Sequence, residues 1–153
     1  MPLNNPVNPG QVYDLWIEAH HRSYLFPDDI TKTATLTADG ADNTFGTWAE
    51  IADNLGAKFS ALTTSPIAVS SMQVREEDEA DKLYLIEIGY GEAVEAVTTI
   101  DPHLFGSGTK KIERDEQVRF RPPVIPVGQK IYYRMKCEEG GATCQVAFRY
   151  HHH

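Results

Sequence analysis

The chain is short of basic charge, of cysteine and of long apolar runs, and each shortage removes a class of function. Its 14 Lys+Arg stand against 22 Asp+Glu, a formal net charge of −8 over 153 residues, with no basic cluster. Phosphate contacts need a Lys/Arg-rich face, so nucleic-acid binding is not expected. No apolar run approaches the roughly 18 residues that a membrane-spanning helix needs. The start, Met1-Pro2-Leu3-Asn4-Asn5-Pro6, has neither a basic n-region nor an apolar h-region, so no secretory signal is expected. Hydrophobic residues still make up 41% and charged residues 24%, the balance of a folded chain rather than a disordered one. The length suits one domain.

Catalytic patterns are missing as well. There is no G-x-S-x-G elbow, no H-E-x-x-H, no P-loop and no dinucleotide glycine fingerprint. Gly89-Tyr90-Gly91-Glu92 follows a strand-like run but opens no helix, so it reads as a hairpin turn. Of six histidines, three close the chain in Tyr150-His151-His152-His153, which reads as a purification-tag remnant over residues 151–153. His20-His21 beside Asp28-Asp29 makes a poor metal site, because adjacent side chains diverge on a helix or a strand. His103 is expected in a loop. No catalytic residue, metal ligand or cofactor is expected, and the chain reads as a non-enzyme.

Three prolines in the first nine positions, with three asparagines among them, forbid a helix or a central strand there. Residues 1–30 therefore read as an extended arm with one short ordered segment. Val12, Leu15 and Trp16 fit either a helical face or a strand. After residue 30, β-prone runs recur at Thr31 to Thr37, Phe45 to Ala52, Ile67 to Val74, Lys82 to Ile88 and Ala93 to Ile100. They continue at Lys110 to Arg114, Gln117 to Arg121, Lys130 to Cys137 and Thr143 to Tyr150. Short strands at regular spacing with Gly, Pro, Asp and Ser between them predict an antiparallel β-sandwich over residues 31–150.

Alternation assigns the faces. Tyr84, Ile86 and Ile88 are expected in the core, leaving Leu83 and Leu85 beside Glu87 on a half-apolar outer face. Val118 and Phe120 go inward. The prolines at 122, 123 and 126 put Val124-Ile125 at an edge or a crossing. The run Glu76-Glu77-Asp78-Glu79 reads as a solvated loop tip. Gly140-Gly141 predicts a tight hairpin that sets Cys137 opposite Cys144, Met135 opposite Val146, Tyr133 opposite Phe148 and Ile131 opposite Tyr150. The two cysteines suit a cross-strand disulfide in an oxidising setting, but without a secretion signal reduced core thiols are the favoured reading. Trp48 and Tyr84 are expected inside, Tyr90 and Tyr132 outside, where they would suit a sugar-binding platform.

The order of motifs over roughly the last 110 residues carries a resemblance. Asn43-Thr44-Phe45-Gly46-Thr47-Trp48 opens it and Ile88-Gly89-Tyr90-Gly91 ends a central strand. Ile125-Pro126-Val127-Gly128 makes a turn, Arg134 lies on the next strand, and a glycine-rich connection precedes the last one. This pattern resembles small β-sandwich structural proteins of tailed bacteriophages, of the head decoration (cement) or tail-associated type. The resemblance implies a jelly-roll-like sandwich in a virion, made in the host cytoplasm and often trimeric. Its partners would be further copies of itself and a capsid or other virion protein. The expected interaction surface comprises Val12, Leu15, Trp16, Leu83, Leu85, Tyr90 and Tyr132. The alternative is a carbohydrate-binding module or a tail or fibre receptor-binding domain, with a glycan as partner.

Overall fold

The computed structural model describes residues 22–100, 102–106, 117–120 and 123–153. Ten strands follow in order: β1 (Tyr24–Phe26), β2 (Ala34–Thr37), β3 (Ala49–Glu50), β4 (Ile67–Glu77), β5 (Leu83–Gly91), β6 (Thr98–Thr99), β7 (His103–Gly106), β8 (Gln117–Arg119), β9 (Lys130–Cys137) and β10 (Thr143–His152). Single 3-10 turns occupy Phe59–Leu62 and Val94–Ala96, and the described residues contain no α-helix.

All pairings between these strands are antiparallel, and they form two sheets. In the first, β1 and β2 share one edge of β10, followed by β4 and then β8. In the second, β3 pairs with β9, β9 with β5, and β5 with both β6 and β7. The fold is all-β. Alternating residues of both sheets meet in one core: Leu36, Val69, Met72, Val74, Val146 and Phe148 from the first, and Tyr84, Ile86, Ile88, Ile131 and Met135 from the second. Phe59 closes the core from its 3-10 turn, fully buried, with ring centroids 4.7 Å from Phe26 and 5.4 Å from Phe148. Emptying such a site costs about 3–5 kcal/mol.

The two-residue period assigned β5 correctly. Tyr84, Ile86 and Ile88 are inaccessible, while Leu83, Leu85 and Glu87 are half-buried on the outer side. Phe120 is buried as expected, with its N–H donating to Ser70 O, and Val124 is exposed while Ile125 exchanges two backbone hydrogen bonds with Ile67.

The predicted hairpin is corrected. β9 and β10 belong to opposite sheets, so residues 138–142 cross from one layer to the other and none of the four expected cross-strand pairs forms. Tyr133 pairs with Ile88 and Ala49, and Phe148 with Met72 and Phe26. The inward faces were nonetheless right, because alternation does not depend on which neighbour a strand has. Cys137 and Cys144 are both buried free thiols, and Cys144 Sγ lies 3.6 Å from Met135 Sδ.

Other boundaries shift. β1 brings residues 24–26 of the expected arm into the first sheet, and β10 runs on through His151 and His152, opposite Ala68 and Ile67. The residues set aside as a tag thus continue the longest-paired strand of that sheet. The run Phe45 to Ala52 shrinks to β3, and Ala93 to Ile100 divides into a 3-10 turn and β6. His103 opens β7 rather than lying in a loop, and Glu76 and Glu77 finish β4. Gly89 and Gly91 sit within β5, not in a turn. A Cβ at Gly91 would stand 2.5 Å from the Ala96 carbonyl oxygen, so the glycines let residues 96–98 cross closely over the strand. The expected strand Lys110 to Arg114 lies outside the described residues.

Candidate interaction surface

The expected surface residues do not form one patch. Val12, Leu15 and Trp16 lie outside the described residues. Tyr132 is buried, 5% exposed, which corrects its expected place outside. It stands opposite Gly89 on the outer side of the second sheet, where Val97 and Trp48 lie over that glycine. Tyr90 has the inward parity of Ile86 and Ile88 and packs half-buried against the core. Leu83 and Leu85 keep the outer orientation and stay half-buried. Leu85 stands opposite Leu104 of β7, which is 59% exposed, so a short apolar stripe crosses β5 and β7.

Beside that stripe, the outer face is built by residues from the motifs that carried the resemblance. Trp48 is not in the core: Arg134 Cζ lies 4.7 Å from its ring centroid and 4.8 Å from that of Phe45. Lys136 Nζ sits 5.0 Å from the Phe45 ring, and Arg134 Nε donates to the Glu87 carboxylate. The N-T-F-G-x-W loop is thus clamped onto β9 by cation–π contacts, whose carboxylate partner comes from β5. The arginine-bearing strand and the aromatic loop were legible as motifs; their contact with one another was not.

Acidic side chains hold loops in place. Asp78 Oδ1 accepts from the Tyr84 hydroxyl at 3.1 Å and from the Thr143 N–H at 2.8 Å, so this member of the acidic run ties β5 to β10 instead of being free in solvent. Asp53 accepts from the Leu55 and Ala57 N–H groups at 2.9 and 2.8 Å and lies 3.6 Å from Lys32 Nζ. Its side chain is 2% exposed; burial pushes its pKa up, but those hydrogen bonds and the Lys32 ammonium outweigh it and hold the carboxyl below its ordinary value. Sequence reading missed Asp53. The signal was Asp53-Asn54-Leu55-Gly56, an Asx-type turn whose glycine adopts a φ of 89°.

Asp53 borders a cavity of about 130 Å³ between β1, β10 and the 3-10 turn, walled chiefly by Leu25, Phe26, Pro27, Ala61, Leu62 and Tyr150. At the end of β10, His152 Nδ1 lies 2.7 Å from Ser65 Oγ, and its ring meets Tyr24 edge-on at 5.2 Å. Among the described residues, no group of three or more His, Cys, Asp or Glu is placed to hold a metal ion. No helix among them is long and apolar enough to cross a membrane. The polar geometry on these faces fixes loops and strand ends; an apolar stripe and an apolar cavity are what it leaves for contact with something else. No family model matches the chain, and neither the curated proteins nor the solved structures contain a match to it.

Proposed function

We propose that the chain is a non-enzymatic structural protein of a tailed-phage virion, a head decoration protein whose two sheets form a jelly-roll sandwich. The strand order is the observation that carries this reading. With β1 and β2 taken as one strand position and β6 and β7 as another, the first sheet reads first, last, third and sixth. The second reads second, seventh, fourth and fifth. That order supports a reading as two interlocked Greek keys, an architecture used by viral capsid and lectin domains. The meeting of Phe45 and Trp48 with Arg134 supports the motif resemblance, because residues far apart in sequence serve one structural purpose.

The mechanism is mass action. A subunit that binds the assembled shell, and not its dissociated parts, adds its binding free energy to the stability of the shell. Self-association, most simply a closed trimer, would present several such contacts at once. The carbohydrate reading shares the architecture but loses its platform. Tyr132 is buried, Tyr90 faces the core, Arg134 stands over the Phe45 and Trp48 rings, and Lys136 over that of Phe45.

Two measurements test the proposal. Sequencing the genome around the reading frame should find capsid, portal or tail genes as neighbours, and a glycan array should stay blank. A metabolic operon around the frame, or saturable sugar binding abolished by Trp48→Ala, would replace this reading with the alternative.

A further inference from the structure

We propose that His151 and His153 form a binding site for a divalent late first-row transition ion such as Ni2+, Cu2+ or Zn2+. Tyr150-His151-His152-His153 puts three imidazoles in a row, and in a flexible tail any two of them are free to meet an ion. β10 removes that freedom. His151 stands opposite Ala68 and His152 opposite Ile67, and the His153 N–H donates to Pro66 O at 2.8 Å, so the backbone of all three is held against β4 and the residue before it. Successive side chains of a strand point to opposite faces, and alternate histidines therefore share one.

The ring contacts follow that alternation. His152 lies on the side of Tyr150: its ring meets Tyr150 edge-on at 5.6 Å and Tyr24 at 5.2 Å, and its Nδ1 lies 2.7 Å from Ser65 Oγ. His151 and His153 take the other side, with ring centroids 4.9 Å apart and planes tilted by 45°. An ion about 2.0–2.1 Å from one nitrogen of each ring stands about 3.2 Å from each centroid. Centroids 4.9 Å apart then subtend an angle of about 100° at the ion, between the octahedral and tetrahedral values. His151 is half-buried and His153 exposed, so the pair is open to an ion from solvent. Imidazole suits zinc, copper and nickel, whereas magnesium and calcium prefer oxygen. Two nitrogens are fewer than the protein ligands of a catalytic or structural zinc site, which leaves the remaining positions to water and makes the ion exchangeable.

Calorimetric titration of the full chain with Ni2+ in a weakly coordinating buffer tests the site. Saturable binding is expected, with no response to Mg2+. His151→Ala and His153→Ala should each weaken it by at least the roughly tenfold that loss of an outer-shell partner costs. His152→Gln should leave it unchanged. Equal losses from all three substitutions would mean a loose tail that binds through any pair, and would overturn the proposal. So would the absence of saturable binding, or full affinity in the His151→Ala/His153→Ala double variant. Because His152→Gln also disturbs the Ser65 contact, electron paramagnetic resonance of the unsubstituted chain with one equivalent of Cu2+ gives a second readout. Two imidazole nitrogens on the copper are expected; three would contradict the site.

Discussion

Gly89 and Gly140 are fixed by what approaches them. A Cβ on Gly89 would stand 2.4 Å from Val97 Cγ1 and 2.9 Å from the Thr98 carbonyl oxygen; one on Gly140 would stand 2.2 Å from the Gly40 carbonyl oxygen. Each Gly→Ala change should cost about 1–3 kcal/mol by urea denaturation, as overpacking does. Gly40→Ala, with nothing within 4 Å, should stay within about 0.5 kcal/mol of wild type. Arg134→Gln removes the cation between two rings and leaves Glu87 half-buried without its partner. A loss of about 1–2 kcal/mol is expected, part of the ion-pair contribution being screened by solvent. Burial pushes the Cys144 and Cys137 thiols above their ordinary pKa, so at mildly alkaline pH Ellman's reagent should label neither until denaturant is added. Asp53 works in the opposite direction. Its folded pKa lies below the unfolded value near 3.8, so its stabilisation is present above that pH and is lost as pH falls through the folded pKa. Acid titration should therefore unfold wild type over a steeper range than Asp53→Asn, measured by circular dichroism.

Among the elements, β10 takes the largest share of the pairing, touching β1, β2 and β4 along its length. Removing residues 151–153 deletes its last pairs, the His152–Ser65 hydrogen bond and the ring contact to Tyr24. Thermal melts should show a loss of about 1–2 kcal/mol, where a dangling tag would come off without effect. The strands β5, β9 and β10 were readable from sequence because each alternates over eight or more residues, and their inward faces followed directly. Their partners were not readable. Two glycines between two alternating runs look the same whether the chain reverses within one sheet or crosses to another. Gly140 proves to be glycine because residue 40 packs against it, while the neighbouring Gly141 adopts a positive φ of 75°. The short strands β3 and β6 carry two residues each, too few for a period to register; the acidic run is exposed at Glu76 and Asp78, as a loop tip should be, but its anchor by Asp78 went unseen because one partner is an amide 65 residues away. The candidate surface suffered most. Tyr132 had the outward parity expected of it, but a loop from another part of the chain covers that face.

At the scale of the molecule, the two ends differ. Asp39, Asp42, Asp78 and Glu138 gather where the β2–β3, β4–β5 and β9–β10 connections are tied together by Gly141 N–H to Asp39 O, Gly140 N–H to Asp42 Oδ1 and Asp78 N–H to Thr143 O. Away from these connections, exposed Ile30 and Leu55 flank the apolar cavity. A protein acting by association should use the apolar region for contact and leave the acidic one in water, so added salt should weaken self-association little. A decoration protein must associate. Sedimentation velocity of the full chain, from low to high micromolar concentration, should give a closed oligomer of three times the 17.1 kDa chain mass. A single species at the mass of one chain across that whole range would contradict it.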